Sequence, residues 1–299
     1  YDEAGNLFGS GTVFGPQYPV TFGAYKVNAS ASIGFNNPDI AITKFSANGS
    51  TRIFSTYLGG NGCDQPHSLI SDKNDRLLVF GSTSSLDYPI TAGAYDSTFN
   101  GGSPFTANGL GTSYANGADI VVTKFNAAGS ALIGSTYLGG SGTDGVNNSG
   151  SLVHNYGDQM RGEILLDSSD NVYIVTATTS TNFPTTVGCI DPSPNGGYDG
   201  CITKFNSTLT KVLFSSYLGG TGDDAIYSIA LDKNDVPIIA GGTTSTNFPV
   251  TSNGFDQTFN GIVDGFITKF KPSGDSIISS TYYGTPQYDQ IYFVELTRR

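Results

Sequence analysis

The chain has 299 residues, with 40 glycines, 19 phenylalanines and 17 tyrosines but no tryptophan, and its formal net charge is −11. An acidic surface repels phosphate backbones, which argues against nucleic-acid binding, and no apolar run approaches the length of a membrane span. Thr, Ser, Tyr, Phe and Ile fill the runs between glycines, which predicts an all-β chain of many short strands with little helix.

A two-part phrase recurs four times along the chain. In the first copy it reads Ile42-Thr43-Lys44-Phe45, followed after a turn by Ser55-Thr56-Tyr57-Leu58-Gly59-Gly60. The later copies begin at Val122, Ile202 and Ile267. A repeat of this kind indicates an array or a closed ring of similar units.

Each repeat contains four strand-like runs, here named a to d in chain order. In the last repeat they cover residues 226–231, 236–241, 265–270 and 277–283, and Asp- and Asn-rich turns separate a from b. Four antiparallel strands in successive repeats are typical of β-propeller blades. We therefore expect a single propeller domain over 1–299, with blade 1 at 1–60 plus 291–297, blade 2 at 67–140, blade 3 at 161–220 and blade 4 at 225–284.

The two ends of the chain complement each other in this scheme. Residues 1–12 match the a–b turn and strand b, whereas residues 291–297 match strand a. The last run is therefore predicted to pair beside residues 6–12 and to close a ring of four blades. If the ring is larger, the chain is a part of it.

Two insertions interrupt the repeat. One covers residues 101–117, between strands b and c of blade 2, and the other covers 145–160, between strand d and the next strand a. In a propeller both kinds of loop lie on the same face. We expect function to be located there, because loops on a rigid scaffold commonly carry it.

The repeated motifs resemble a known family. Beside the two-part phrase, they include Gly222-Asp223-Asp224 and the run from Thr243 to Pro249, Thr-Thr-Ser-Thr-Asn-Phe-Pro. Together they resemble the bacterial repeat named for a seven-bladed β-propeller, and the resemblance covers essentially the whole chain. It implies secreted or cell-surface proteins, frequent in Bacteroidota, and it implies no catalytic residues. The four repeats of this chain depart from the seven in the family name.

One Asp recurs in each d–a loop, at Asp64, Asp144, Asp224 and Asp289. Carboxylates that converge near a central channel would form a cation site, with calcium as the candidate ion and no other cofactor expected. The alternative, which we favour, is that each Asp accepts backbone N–H groups in its own turn.

An aromatic residue precedes proline in each b–c loop: Tyr18, Tyr88, Phe183 and Phe248. Exposed rings at Tyr88, Phe183 and Phe248 would suit sugar or peptide binding. In the alternative, which we favour, the ring packs the loop onto its own blade.

The 145–160 insertion and the residue after it hold the least repetitive polar residues. His154, Tyr156, Asp158 and Arg161 lie within eight positions and are candidate binding residues. A His with an Asp can also perform acid–base chemistry. No nucleophile elbow or paired-carboxylate motif accompanies them. We favour a solvated polar loop without a binding role, and we rank partner binding second and catalysis last.

Cys189 and Cys201 flank a Pro- and Gly-containing loop and are a candidate disulfide pair, with Cys63 left over. The alternative is three separate thiols, since pairing cannot be read from spacing alone.

These observations favour a non-enzymatic, extracellular or cell-surface module for adhesion. Its partners would be a protein or glycan at the cell surface, together with other domains or subunits of a larger assembly. A glycan hydrolase or lyase on the loop face is the first alternative. An architectural spacer in a large surface protein is the second.

Overall fold

A computed structural model describes residues 1–107 and 111–296. These residues form seventeen β-strands and one short 3₁₀ turn at Asp158–Met160. Within them, no helix is long and apolar enough to cross a membrane. The all-β class predicted from composition is confirmed.

Fifteen of the strands form four antiparallel sheets, each in the order of the chain, and the other two form a separate two-stranded sheet. Sheet 1 contains β1 (Leu7–Val13), β2 (Asp39–Phe45) and β3 (Arg52–Leu58). Sheet 2 contains β4 (Asp64–Ser71), β5 (Leu77–Thr83), β8 (Asp119–Phe125) and β9 (Leu132–Leu138). Sheet 3 contains β10 (Glu163–Leu166), β11 (Val172–Thr178), β12 (Asp199–Phe205) and β13 (Val212–Leu218). Sheet 4 contains β14 (Asp224–Leu231), β15 (Pro237–Thr243), β16 (Asp264–Phe270) and β17 (Ile277–Tyr283).

The insertion predicted at 101–117 has structure of its own. Strands β6 (Phe105–Ala107) and β7 (Thr112–Tyr114) pair as a small antiparallel hairpin between β5 and β8. The rings of Phe105 and Tyr114 stack at 4.8 Å, and Tyr114 is fully buried. Residues 108–110 of this insertion lie outside the described residues.

The chain divides into two compact units. Unit 1 comprises Tyr1–Thr143 and Ser207–Lys211, and unit 2 comprises Asp144–Asn206 and the described residues from 212 onward. In unit 1, Ile40, Ile42 and Phe54 of sheet 1 share one apolar core with Val79 and Phe125 of sheet 2.

Unit 2 has an equivalent core. Val175 and Ile202 of sheet 3 pack with Ile239, Phe266 and Phe270 of sheet 4. The first strand of a sheet thus lies on the face of the preceding sheet within each unit, as β14 does on β11 and β12. This stacking buries the alternating apolar residues of successive strands.

The recurring phrase has a structural role in every sheet, as its recurrence predicted. The lysine of Ile-Thr-Lys-Phe pairs with an Asp of the turn before strand b, in the pairs Lys44–Asp2 (2.6 Å), Lys124–Asp72 (2.9 Å), Lys204–Asp167 (2.8 Å) and Lys269–Asp232 (3.1 Å). The threonine of the same motif hydrogen-bonds the first serine of the Ser-Thr-Tyr run, for example Thr203 to Ser215 at 2.8 Å. The two halves of the phrase therefore join strand c to its neighbours.

The loop that follows strand b runs back along strand d in each sheet. In sheet 1, the N–H of Thr21 donates to Ser55 O and the N–H of Tyr57 donates to Lys26 O, both at 3.0 Å. Equivalent bonds join Thr91, Thr186 and Thr251 to Ser135, Ser215 and Ser280. The backbone of strand d is thus bonded on both sides.

The predicted pairing of residues 291–297 with residues 6–12 is not observed among the described residues. Sheet 1 has three strands, and residues 291–296 form no strand. Instead, the N–H of Ile291 donates to Gly241 O at 3.2 Å and the N–H of Val294 donates to Ser228 Oγ at 3.0 Å, both within unit 2. Residue 297 lies outside the described residues, and the number of blades and ring closure stay predictions.

Candidate functional site

The aromatic residues that precede proline are buried. Tyr88, Phe183 and Phe248 are 2–4% exposed, and their rings lie 5.9–6.2 Å from the strand-d tyrosines Tyr137, Tyr217 and Tyr282. The binding role predicted for these three residues is therefore wrong. The packing role is confirmed, because each ring fills the space between its loop and its own sheet.

The strand-d tyrosines fix the same loops by hydrogen bonds. The hydroxyl of Tyr217 donates to Ser180 O at 2.6 Å and accepts from the N–H of Phe183 at 2.8 Å. Tyr282 makes the same pair of bonds with Ser245 O (2.7 Å) and the N–H of Phe248 (2.9 Å). Each tyrosine thus satisfies two backbone groups that the loop would otherwise bury unpaired.

The recurring Asp residues bind their own turns. Asp64, Asp144 and Asp224 are fully buried. The carboxylate of Asp64 accepts from Gly60 N and Ser85 Oγ, both at 2.8 Å, and from Thr83 Oγ1. Asp289 is half-buried and accepts from the N–H and the hydroxyl of Thr285, both at 2.7 Å. These contacts agree with the interpretation that we favoured, in which each Asp accepts hydrogen bonds in its own turn.

Burial controls the ionisation of these carboxyls. It raises the pKa of Asp64 to about 7 and that of Asp224 to about 6, against the lowering effect of their hydroxyl and backbone donors. Across residues 1–107 and 111–296, no group of three or more His, Cys, Asp or Glu side chains is placed to hold a metal ion. In unit 2, Asp144, Asp224 and Asp289 thus form no such group, and calcium binding stays a prediction.

The predicted disulfide is not formed. Cys63, Cys189 and Cys201 are all free thiols. Cys201 is buried within β12, where its backbone pairs with Thr176 on one side and Tyr217 on the other. Burial raises the pKa of its thiol well above the ordinary value. The Cys201 side chain is committed to the sheet interior, so the prediction of a bridge across the loop is wrong.

The 145–160 insertion brings three of the predicted binding residues together around a buried carboxylate. Asp158 is fully buried and accepts from the N–H groups of His154 (2.8 Å) and Asn155 (2.9 Å). Its Oδ1 also pairs with Arg161 Nε at 3.0 Å. One carboxylate thus fixes both ends of this turn and orients the arginine.

The segment before residue 297 completes the cluster with aromatic rings. The Arg161 guanidinium lies 3.9 Å from the centroid of Tyr292 and 5.8 Å from that of Phe293. The ring of His154 lies 4.8 Å from that of Tyr288, whose hydroxyl donates to Leu152 O at 2.9 Å. All these residues belong to unit 2.

The outer side of this cluster is open to solvent. Tyr156 is 69% exposed and Phe293 is 74% exposed, His154 is exposed as well, and Arg161 is half-buried. We call His154, Tyr156, Arg161 and Phe293 the aromatic–basic patch. Sequence reasoning found the first three but missed Phe293, since the run from Ile291 was interpreted as a strand.

A cleft of about 1210 Å³ lies elsewhere in unit 2 and was not predicted. Its three walls are the first part of β10 with Glu163, the residues 229–233 and the residues 294–296. We call it the Glu163 cleft. Burial raises the pKa of Glu163, and the charge of Glu295 adds to the effect, while hydrogen bonds from Ile229 and Ser228 oppose it. A signal for it was present in the sequence, because Glu163 is the one acidic residue among mostly apolar neighbours in that strand.

A second, shallower cleft of about 490 Å³ lies on one face of sheet 1 in unit 1. It is lined mainly by residues 9–13 of β1 and by Ala41, Thr43 and Phe45 of β2. Phe45 is 38% exposed, whereas its counterparts Phe125 and Phe205 are fully buried. This face contains no titratable group other than Tyr18 and Arg52, so we do not assign it chemistry.

The comparisons with known proteins identify no family for the chain. No protein-family model matches the chain, and no curated protein matches it. Among solved structures, one described as NanB plus Optactamide is similar over 95% of this chain, with 11% sequence identity and a TM-score of 0.47. The chain spans about half (50%) of the length of that protein.

Proposed function

We propose that this chain is a non-enzymatic β-propeller module of the cell surface or extracellular space that binds a partner protein or glycan. Support for the propeller comes from the repeated four-stranded antiparallel sheets and from the stacking of successive sheets within each unit. The external location rests on the resemblance of the repeat motifs to secreted bacterial proteins.

One observation carries the binding role, namely the aromatic–basic patch of unit 2. Exposed Phe293 lies beside Arg161, which is oriented by the fully buried Asp158, and exposed Tyr156 lies two positions before Asp158 in the same turn. Tyrosine and arginine are enriched among the residues that dominate protein interfaces, and aromatic rings also stack on sugars. A patch fixed in advance loses less conformational entropy on binding than a mobile loop would.

The test uses point substitutions, because Leu152 of the insertion is fully buried in a core cluster and a deletion would disturb it. The full chain and the double variant Tyr156→Ala, Phe293→Ala are labelled and applied to a glycan array and to immobilised extracellular-matrix proteins. Loss of at least about tenfold in affinity is expected for the double variant, since two hot-spot rings are removed. Phe255→Ala is the matched control, because Phe255 is an 87%-exposed ring in the same unit.

The outcomes separate the alternatives. Binding on one of the two arrays that depends on Tyr156 and Phe293 identifies the partner as a glycan or a protein. Equal binding by the double variant and by Phe255→Ala would refute the patch. No binding on either array would favour the architectural spacer instead.

The Glu163 cleft is the observation that favours the enzymatic alternative, a glycan hydrolase or lyase. Such chemistry uses a protonated carboxyl beside a second carboxylate, and Glu163, with its raised pKa, shares the cleft with Glu295. The geometry favours binding, because Glu163 Oε2 already accepts from Ile229 N at 2.8 Å and from Ser228 Oγ at 2.7 Å. Turnover of any array glycan by the wild type, abolished by Glu163→Gln, would reverse this preference.

A further inference from the structure

The carboxylate of Glu163 is fixed in position without a cationic partner. Its Oε2 accepts from Ile229 N and Ser228 Oγ, and Ser228 Oγ in turn accepts from Val294 N at 3.0 Å. Glu163 lies on the first wall of the cleft, and its carboxylate is bonded directly to the second wall and, through Ser228, to the third. Among the described residues, no group donates a hydrogen bond to Oε1 and no Lys or Arg forms an ion pair with Glu163.

The charges around Glu163 leave the cleft negative. Asp232 and Glu295 line it together with Glu163, and Lys233 is the one basic residue in the lining that residues 1–107 and 111–296 provide. Lys269 approaches Asp232 at 3.1 Å from the neighbouring strand. Lys269 thus compensates the charge of Asp232 and not that of Glu163. A ligand that carries a positive charge would complete the electrostatics of the site.

The remaining lining is apolar. Leu165 and Leu166 form one wall, Ile229 and Leu231 form the second, and Leu296 closes the third. A bare metal ion or a small hydrophilic cation would leave these side chains in contact with water. A basic group with apolar neighbours matches the lining better.

The size of the cleft and its open backbone indicate a peptide. The wall formed by the four residues of β10 is about 13 Å long, the length of four residues of an extended chain. The volume of about 1210 Å³ exceeds the roughly 300–1,000 Å³ of common small-molecule pockets. In addition, the backbone of Glu295 forms no hydrogen bond with any other described residue, so that it can pair with an extended peptide.

We propose that the Glu163 cleft binds an extended peptide segment in which a lysine or arginine lies between apolar residues. The basic head group reaches Glu163 Oε1, and the apolar flanks pack on the half-buried side chains of Leu165 and Leu231. This site is separate from the aromatic–basic patch and does not depend on the binding function proposed for it.

The test measures binding of a synthetic peptide, acetyl-Leu-Val-Lys-Val-Leu-amide, to the full chain by isothermal titration at low salt. A second peptide carries norleucine in place of lysine, which keeps the stem and removes the charge. The norleucine peptide should bind about tenfold more weakly, since it cannot form the charge-assisted hydrogen bond to Glu163. This comparison uses the wild-type chain and does not depend on the folding of any variant.

Glu163→Gln should abolish the difference between the two peptides, because a glutamine oxygen can still accept from Ile229 and Ser228 but carries no charge. Glu3→Gln, at an exposed position of unit 1, is the matched control and should change nothing. Burial raises the pKa of Glu163 above its ordinary value of 4.5, so the wild type should begin to lose affinity for the lysine peptide at a higher pH than an unperturbed glutamate would. The other titratable groups that face the cleft are Asp232, Lys233 and Glu295, with Lys269 behind Asp232.

Three results would overturn the proposal. The first is equal affinity of the wild type for the lysine and norleucine peptides. The second is an unchanged preference for lysine in Glu163→Gln. The third is binding of n-hexylamine as tight as that of the peptide, which would make the occupant a small amine. Tyr156→Ala should leave peptide binding intact, so failure here and failure of the patch are distinguishable.

Discussion

Lys204→Met should destabilise the chain much more than Lys269→Met, although both remove an ammonium from the same position of the repeat. The side chains of Lys204 and Asp167 are only 12% and 4% exposed, whereas those of Lys269 and Asp232 are 35% and 22% exposed. Both lysines belong to unit 2. The difference therefore isolates the effect of burial on one ion pair.

The magnitude follows from what Lys204→Met leaves behind. Breaking a fully buried pair costs about 3–5 kcal/mol, because the remaining charge is uncompensated. Asp167 keeps hydrogen bonds from the N–H groups of Ser169 and Asn171, both at 2.9 Å, which reduces the expected loss to about 2.5 kcal/mol. Methionine retains the apolar contact with the Tyr173 ring, over which the Lys204 ammonium lies at 4.8 Å.

Urea unfolding followed by tyrosine fluorescence measures the effect, since the chain has 17 tyrosines and no tryptophan. With a slope of about 2.5 kcal/mol per M, the midpoint of Lys204→Met should fall by about 1 M. Lys269→Met should shift it far less. Asp167→Asn, added to Lys204→Met, should recover part of the loss because it removes the orphaned charge.

The Lys204–Asp167 pair also makes the stability of the chain depend on pH in the acid range. Burial is the largest single influence on Asp167 and opposes its charge, but the hydrogen bonds from Lys204 and Asn171 and the charge of Lys204 together outweigh burial, so the pKa of Asp167 is lowered. Its contribution is therefore present above the unfolded pKa of 3.8 and is lost as the pH falls through the lower folded value. Equal midpoint shifts for Lys204→Met and Lys269→Met, or no recovery by Asp167→Asn, would refute this reasoning.

Three further outcomes can be measured on the same chain. Tyr217→Phe leaves Ser180 O and the N–H of Phe183 without their partner and should lower the free energy of unfolding in urea by about 2 kcal/mol. An unchanged urea midpoint would show that these two hydrogen bonds do not stabilise the chain. Burial raises the pKa of Asp64 from 3.8 to about 7, so its contribution to stability is present below pH 3.8 and is lost as the pH rises toward 7. Asp64→Asn should flatten this dependence of stability on pH. An identical pH profile in the variant would show that another group causes the dependence. Cys201 should react with a thiol reagent only after unfolding, and a reductant should not change the melting temperature; rapid labelling of the native chain would show that this thiol is accessible.

The sequence predicted the strands well because repetition and turn chemistry agreed. The four runs of the last repeat correspond to β14, β15, β16 and β17, and the Asp-rich cluster between a and b forms the predicted turn. Asp235 in that turn has a φ of +57°, a conformation that Asn and Asp adopt more readily than most residues. Local signals of this kind need no knowledge of distant contacts.

The aromatic–basic patch could be predicted only in part, because it is formed by contacts between segments outside the repeat. The sequence drew attention to His154, Asp158 and Arg161, but not to Tyr288 and Tyr292, which lie more than a hundred positions further along the chain. Their meeting is a consequence of packing between two non-repeated segments. The same limit applies at residues 291–296, which do not form the predicted strand, because a strand-like pattern of side chains does not specify which backbone, if any, it will pair with.

The loops bonded along strand d have a consequence for how the chain behaves at high concentration. An outermost strand with free N–H and C=O groups is a template on which another molecule can add its own strand, which is a route to aggregation. In all four sheets some of those groups are already engaged, for example Ser55 O by Thr21 and the N–H of Tyr57 by Lys26 in sheet 1. Many copies can therefore be crowded side by side without the outer rims of their sheets joining into intermolecular fibres.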